Sequence, residues 1–200
     1  MWALVESGSV TQIYTRPKAL NIGDVNYPSN IFTMWSASEL EALGIYAVVQ
    51  DGTNYKDPKY YNNTDQSFNF ASGTVTASYG TATAKPLDDV LWQDGESGRP
   101  EGVSVGDVKT PGIRQGHIDD INAGASNRLS PTDWMVVRAA EGGTAVPSSI
   151  TTKRAAVRTK ANAMCTQITN AANVDALAAL YVYNNETPPV RPLGELPTVE

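Results

Sequence analysis

The segment ITTKRAAVRTKANAMCTQITNA, residues 150–171, has the clearest periodicity in the chain. Its apolar residues recur at intervals of three, four or seven positions, at Ile150, Val157, Ala161, Met164, Ile168 and Ala171. Because an α-helix has 3.6 residues per turn, this spacing aligns the six side chains in one stripe. The segment therefore predicts an amphipathic helix of about 20 residues with one apolar face.

Helical signals continue on both sides of this segment. Residues 114–129 predict a helix, and the sequence SPTD at 130–133 has the form of a helix start before residues 134–140. Asn173 is a suitable cap for a final short helix. Together these elements predict a helical carboxy-terminal module over residues 114–186. Residues 187–200 are rich in proline, which cannot continue a helix, so they predict an extended tail.

The first part of the chain, residues 1–90, predicts a mainly β module. Apolar and polar residues alternate in short runs separated by turn residues, which is typical of strands. The predicted strands are 2–6, 10–14, 45–50, 67–71 and 74–79. Ser7-Gly8-Ser9 between the first two strands is a short loop of the hairpin kind, and Ser72-Gly73 between the last two indicates a hairpin turn. Ser36 and Glu39 have the spacing of a helix capping box. These signals predict a small antiparallel sheet with one covered face.

A change of composition separates the two modules. Glycine and proline recur through residues 91–113 with little apolar periodicity, which predicts a long surface loop or linker. The expected fold class is therefore α+β, with a small antiparallel β-sheet region, a long loop and a carboxy-terminal helical region.

The charge and hydropathy of the chain limit its partners. The net charge is −6 over 200 residues, which argues against nucleic acid or an anionic membrane as the main partner. Residues 128–160 carry six Lys or Arg against two acids, so this stretch is +4 and the rest is −10. Such a stretch fits either an acidic protein surface or an ordinary solvated helix face. No apolar run is long enough to span a bilayer, and the first residues do not form a secretory signal.

Residues with catalytic chemistry are scarce. The chain has one histidine, His117, and one cysteine, Cys165, which lies among the apolar residues of the predicted helix. A buried structural role for Cys165 is favoured over a Cys-His pair. The chain lacks the several His or Cys residues that a zinc site needs, and it lacks the glycine motifs of nucleotide-binding loops. We therefore expect neither an enzyme nor a cofactor.

The densest informative patch is LSPTDWMVVR, residues 129–138. In the favoured structural interpretation, Asp133 interacts with the helix dipole, Trp134 and Val137 pack inward, and the arginines pair with acids or extend along the surface. In the functional interpretation, Trp134 and nearby arginines anchor a protein partner, because Trp and Arg are enriched in interface hot spots. The candidate partner-binding residues are Trp134, Arg138, Arg154 and Arg158.

The same patch resembles a segment of bacteriophage tail proteins. SPTDWMVVRAAEGG (130–143), VPSSI (146–150) and KRAAVR (153–158) are similar to a segment of tail-fibre assembly proteins and an allied domain of tail-fibre gene neighbourhoods. WALV at residues 2–5 and YPSNIFTMW at 27–35 resemble the amino-terminal module of such proteins. Those relatives lack an equivalent of residues 91–116. An ordered insertion would fit a contact retained in the virion, and a disordered one a transient helper.

The resemblance implies a non-enzymatic tail structural protein that docks on a fibre, baseplate or neck component. The alternative is a tail-fibre assembly chaperone that is absent from the mature virion. A third possibility, a fibre-tip enzyme or glycan binder, predicts a carboxylate pair or an aromatic platform in a cleft. The expected partners are other tail proteins in a homo- or hetero-oligomeric assembly. The expected location is the virion tail, after assembly in the host cytoplasm.

Overall fold

The computed structural model describes residues 1–199 and confirms an α+β fold, with a sheet in the amino-terminal part and helices in the carboxy-terminal part. The chain divides into two compact units, Met1–Thr83 and Ala84–Glu200. The division therefore precedes the Gly/Pro-rich segment, whereas the sequence suggested a first module that ends at residue 90. Residues 91–113 belong to the second unit and do not separate the two units as a linker.

The first unit contains the main β-sheet and two short helices. Its elements are β1 Trp2–Glu6, β2 Ser9–Tyr14, β3 Leu20–Ile22, β4 Val25–Tyr27, α1 Ile31–Met34, α2 Ala37–Ala42, β5 Ile45–Asp51, β6 Tyr61–Asn62, β7 Gln66–Ala71, β8 Thr74–Tyr79 and, at the boundary, β9 Thr83–Ala84. The sheet has the strand order β2-β1-β5-β8-β7, and β3 and β4 form a separate hairpin.

The prediction of an antiparallel sheet was wrong for one pair of central strands. β1 is antiparallel to both β2 and β5, and β7 is antiparallel to β8. However, β5 and β8 run parallel, with Val48 beside Val75. A two-residue turn forces two consecutive strands to be antiparallel, but residues 52–73 connect β5 to β8 and are long enough for a crossover. The sheet is therefore mixed.

The two predicted hairpin turns are confirmed. Ser7 and Gly8 join β1 to β2 with φ of 51° and 77°, and Ser72 and Gly73 join β7 to β8 with φ of 51° and 75°. Positive φ at both central residues is the requirement of the two-residue turn that matches strand twist. The Ser-Gly pairs supply it, since glycine adopts this conformation without steric cost.

The core of the first unit lies between the sheet and the two short helices. Its cluster of buried residues consists of Leu4, Tyr14, Leu20, Ile31, Phe32, Leu40 and Ile45. The predicted capping box is present: the Ser36 hydroxyl accepts from the Glu39 amide, and the Ser36 amide donates to the Glu39 carboxylate at 2.7 Å. Gly44 ends α2 with φ of 80°, and a side chain there would collide with the Val5 carbonyl. The box and the glycine thus place Leu40 against the sheet.

The second unit combines a β-hairpin with a group of helices. Its elements are β10 Val90–Leu91, β11 Val108–Thr110, α3 Ile113–Leu129, a 3-10 turn Ser130–Thr132, α4 Asp133–Ala140, α5 Ser148–Thr169 and α6 Val174–Ala179. The Gly/Pro-rich segment, residues 91–113, thus contains β11 and the last residue of β10. The two strands pair as an antiparallel hairpin. The predicted helices at 114–129, 134–140 and around 150–171 are confirmed within one or two residues at most ends.

The apolar stripe predicted for α5 forms the centre of the second unit. Val157, Ala161, Met164 and Ile168 are all buried, and α5 packs along α3, where Ile121 and Ala125 are buried. The tail has no helix or strand from residue 187 to 199, as the prolines predicted. It nevertheless contributes to the core of this unit, because three of its apolar residues are buried, namely Leu193, Leu196 and Val199.

Among the described residues, no helix has both the length and the apolar character needed to cross a bilayer.

Candidate interaction surface

The helix α4 carries the residues that the sequence singled out. The 3-10 turn, with Pro131 in its first positions, leads directly into α4, and Asp133 lies in the first turn of α4, where the positive helix end favours a carboxylate. The helix stops at Gly142, which adopts a φ of 83°. These local signals explain why residues 133–140 form a short, separate helix.

The prediction that Trp134 and Val137 pack inward was wrong. Both side chains are 55% exposed, Val136 is exposed as well, and no residue of α4 is buried. The helix is only eight residues long and follows a tight turn, so its orientation depends on the elements around it more than on its own apolar residues. α4 therefore presents Trp134, Val136 and Val137 to solvent. Trp134, Val137 and Arg138 are three and four positions apart and so lie on one side of the helix, and we call this side the α4 face.

Arg138 completes the α4 face. Its guanidinium carbon lies 4.8 Å from the centre of the Trp134 ring, at the distance of a cation–π contact. The Arg138 Nε is shielded from water and has no hydrogen-bond partner among residues 1–199. The pair therefore places a cation over an aromatic ring, with the Arg138 Nε on its shielded side.

Arg154 has a structural position, which corrects its assignment as a partner contact. Its side chain is only 10% exposed and donates to the Leu129 carbonyl, the Thr132 hydroxyl and the Asp133 carboxylate at 2.6–2.7 Å. The guanidinium thus ties the end of α3 and the start of α4 to α5. An arginine engaged in this way is not available to a partner. The contacts support the interpretation in which Arg154 pairs with an acid.

Arg158 lies one helical turn beyond Arg154 but faces solvent. Its side chain makes no hydrogen bond or ion pair with any residue between 1 and 199. Its role as a partner contact stays a prediction. Of the four candidate residues, the structure brings Trp134 and Arg138 into contact, leaves Arg158 exposed on another helix, and buries Arg154.

The sequence analysis missed Arg114, which has the most extensive hydrogen bonding of any arginine among the described residues. Its guanidinium forms an ion pair with Asp88 at 2.6 Å and donates to the carbonyls of Ile168, Thr169 and Ala171 at 2.5–3.1 Å. The hydrogen bonds from Arg114 are the first cause of the lowered pKa of Asp88. One signal was available: a cation in the first turn of α3 opposes the helix dipole and needs compensating partners.

His117 and Cys165 have different neighbours within the second unit. The His117 Nδ1 lies 2.7 Å from the Tyr181 hydroxyl, whereas the Cys165 thiol contacts the Asn122 side chain at 3.7 Å. Burial raises the pKa of Cys165, which disfavours the reactive thiolate. No group of three His, Cys, Asp or Glu suited to a metal ion occurs within residues 1–199.

A groove of about 500 Å³ lies beside α6 in the second unit. Tyr183 and Arg191 line it, and the Arg191 guanidinium lies 5.4 Å from the ring centres of both Tyr181 and Tyr183. A sugar-binding platform requires an open aromatic face. In this groove one face of the Tyr183 ring is covered by the protein's own arginine.

Comparisons of this chain with models of known protein families, with curated proteins and with solved structures give no match.

Proposed function

We propose that the chain is a non-enzymatic structural protein of a bacteriophage tail, which docks on a fibre, baseplate or neck component through the α4 face. The observation that carries this proposal is the exposure of Trp134 on a helix with no buried residue. The phage assignment itself depends on the sequence resemblance, which includes this same helix.

The composition of the α4 face supports a docking role. A short helix that exposes a tryptophan and two valines holds apolar area in water, and such patches with polar surroundings mark interaction sites. Trp and Arg are the residue types most enriched at the centres of protein interfaces. Because Arg138 stacks on Trp134, its side chain is already held in place, so less conformational entropy is lost when a partner binds.

The hairpin β10–β11 favours a retained virion component over a transient chaperone. The amides of Trp92 and Gly106 form backbone hydrogen bonds of 2.9 Å across it. Lys109 lies over the Trp92 ring at 4.7 Å and pairs with Glu96. The segment that distinguishes this chain from the proteins it resembles is thus held by its own contacts. An ordered insertion is the form expected of a permanent structural contact.

Mass spectrometry of purified virions, quantified against the major capsid protein, tests the location. We expect this chain in the particle at a fixed small multiple of the tail symmetry. If the chain is abundant in the infected lysate but missing from purified particles, the structural proposal fails and the chaperone alternative takes its place. If the chain is absent from both, the phage assignment itself fails.

A second experiment tests the α4 face. Trp134→Glu places a charge on the exposed helix and is expected to reduce incorporation into particles about tenfold or more, as for an interface hot spot. Val182→Glu is the matched control, since Val182 is also an exposed apolar residue of the second unit. Equal incorporation of both variants would contradict the assignment of α4 as the contact.

A further inference from the structure

A second concave site lies in the helical unit, outside the α4 face. A cavity of about 340 Å³ opens where the end of α3, the 3-10 turn and the carboxy-terminal tail meet. Pro131, Ile150 and Val199 form its apolar wall, whereas Arg128 supplies a cation at its edge. Its volume is at the lower end of the ~300–1,000 Å³ typical of ligand sites. It therefore has room for one or two side chains.

Arg128 is the charged group among the described residues that line this cavity. Its Nε is shielded from water and forms no hydrogen bond with any of residues 1–199. A guanidinium has four further N–H donors on its two terminal nitrogens, and these can bind a carboxylate in bidentate geometry.

The nearby carboxylate of Glu195 does not satisfy Arg128. The pKa of Glu195 is lowered first by the hydrogen bond from Tyr183, then by the charge of Arg191 and, more weakly, by that of Arg128. The carboxylate oxygens of Glu195 are bound to the Tyr183 hydroxyl at 2.6 Å and to Arg191 at 2.7 Å. Glu195 is therefore bonded to Tyr183 and Arg191 and acts on Arg128 through its charge alone.

The charge around the cavity selects an acidic ligand. Arg128 is the charged residue among the described residues that line the cavity, and it begins the basic stretch 128–160. Two of the acids in reach of this stretch are already engaged, because Asp133 binds Arg154 and Glu195 binds Arg191. An apolar wall beside a guanidinium that forms no hydrogen bond or ion pair with residues 1–199 fits a ligand that carries an apolar group next to an anion.

We propose that this cavity binds an acidic peptide segment of a partner protein in which an apolar side chain adjoins a carboxylate. The apolar side chain lies between Pro131, Ile150 and Val199, and the carboxylate accepts a hydrogen bond from the Arg128 guanidinium. The cavity is separate from the α4 face, and this inference does not rest on a tail location. The peptide-binding proposal and the proposed docking function can therefore fail independently.

The test uses the full chain, labelled with ¹⁵N, and N-acetylated, C-amidated tetrapeptides. The first probe has a central leucine–glutamate pair; one comparison peptide replaces glutamate with glutamine, and another replaces leucine with serine. We expect the first probe to shift the amide signals of Thr132, Ile150 and Val199 in a saturable way. Each comparison peptide should bind about tenfold more weakly or worse, because it lacks one of the two matched groups. Equal shifts from all three peptides would overturn the proposal, and this comparison needs no variant of the protein.

Two variants locate the binding. Arg128→Gln removes the cation, Ile150→Trp fills the cavity, and both are expected to weaken the leucine–glutamate probe about tenfold or more. Arg16→Gln, in the first unit, is the matched control with the same loss of charge and is expected to bind as the unaltered chain does. If either cavity variant loses the dispersed spectrum of a folded protein, the other decides the result.

Three outcomes contradict the proposal. Equal weakening by Arg128→Gln and Arg16→Gln would show non-specific charge attraction. Shifts confined to Trp134 and its neighbours would assign the peptide to the α4 face. Shifts at the cavity residues that depend on protein concentration in the absence of peptide would show that a second copy of the chain occupies the site.

Discussion

Arg154 and Arg114 perform the same task at opposite ends of one helix pair. Arg154 donates to the carbonyl of Leu129, at the end of α3, and Arg114 donates to those of Ile168 and Thr169, at the end of α5. The last carbonyls of a helix have no partner within it and carry partial negative charge, so a guanidinium is favourable there. Because each arginine comes from the opposite helix, the two contacts hold α3 and α5 antiparallel.

The first prediction concerns Arg154. Replacement by Gln leaves the Leu129 carbonyl and the Thr132 hydroxyl without their buried donor, so we expect a loss of about 2 kcal/mol in the free energy of unfolding. Arg158→Gln is the control, since this exposed arginine of the same helix should change stability by less than about 0.5 kcal/mol. Urea denaturation followed by circular dichroism measures both. Equal stability of the two variants would contradict the structural role of Arg154.

The second prediction concerns the pH dependence of the Asp88–Arg114 pair. The hydrogen bonds from Arg114 lower the pKa of Asp88 in the folded protein. A carboxyl with a lowered folded pKa stabilises the fold above its unfolded pKa of about 3.9, and this contribution is lost as the pH falls through the folded pKa. We therefore expect Asp88→Asn to lower the urea midpoint at about pH 7 but to match the unaltered chain at about pH 2.

Asp94→Asn serves as the control for this pH series. Asp94 is exposed and its side chain has no hydrogen bond or ion pair with residues 1–199, so its replacement should change the urea midpoint at about pH 7 far less than Asp88→Asn does. A difference between Asp88→Asn and the unaltered chain that persists undiminished at the lowest pH would show that the ion pair is not its cause.

The short helices α2 and α4 show how differently two elements of similar length are stabilised. The six residues of α2 are too few for a helix that is stable by itself, and the capping box and the buried Leu40 hold it in place. The eight residues of α4 have no side-chain cap and no buried residue. The tie from Arg154 to Asp133 holds the start of α4 instead. An element held mainly at one end leaves its remaining face free for a partner.

The third prediction tests the capping box. Ser36→Ala removes the side-chain acceptor at the start of α2, and we expect a loss of about 1 kcal/mol in the free energy of unfolding. Ser38→Ala lies in the first turn of the same helix but removes no capping bond, so it should have a much smaller effect. Both are measured by urea denaturation. The idea fails if Ser38→Ala is the more damaging of the two.

At the scale of the whole molecule, each of the two units has its own core. The first unit buries one face of a mixed sheet under α1 and α2. The second unit buries the α5 stripe against α3 and adds Leu193, Leu196 and Val199 from the tail. The backbone amide of Leu193 also donates to the Leu180 carbonyl at 3.0 Å. The tail is therefore an integral part of the helical unit.

The fourth prediction tests this role of the tail. Leu193 is fully buried, and its replacement by Ala should cost about 2–5 kcal/mol in the free energy of unfolding, since it removes transfer energy and leaves a cavity. Val190→Ala, at an exposed position of the same tail, should cost less than about 0.5 kcal/mol. Thermal and urea unfolding measure both variants. If the tail contributes nothing to the core, the two variants will have the same free energy of unfolding.

The sequence by itself determined the features that depend on near neighbours in the chain. The α5 stripe, the Ser7-Gly8 and Ser72-Gly73 turns and the capping box of Ser36 were all predicted and are all present. Each results from spacing or conformational preference within a few residues, and such preferences act in the same way whatever the rest of the fold is. The α+β class follows from the order of these local elements.

Only the tertiary structure decided which surfaces meet. The parallel pairing of β5 and β8, the exposure of Trp134 and the burial of Arg154 all depend on segments distant in sequence. A tryptophan on a short amphipathic helix has the same local pattern whether it faces a core or solvent. An arginine at helical spacing likewise gives no sign of which carbonyls it will reach. Direction, exposure and pairing are set by the packing of whole elements, and no local pattern encodes that packing.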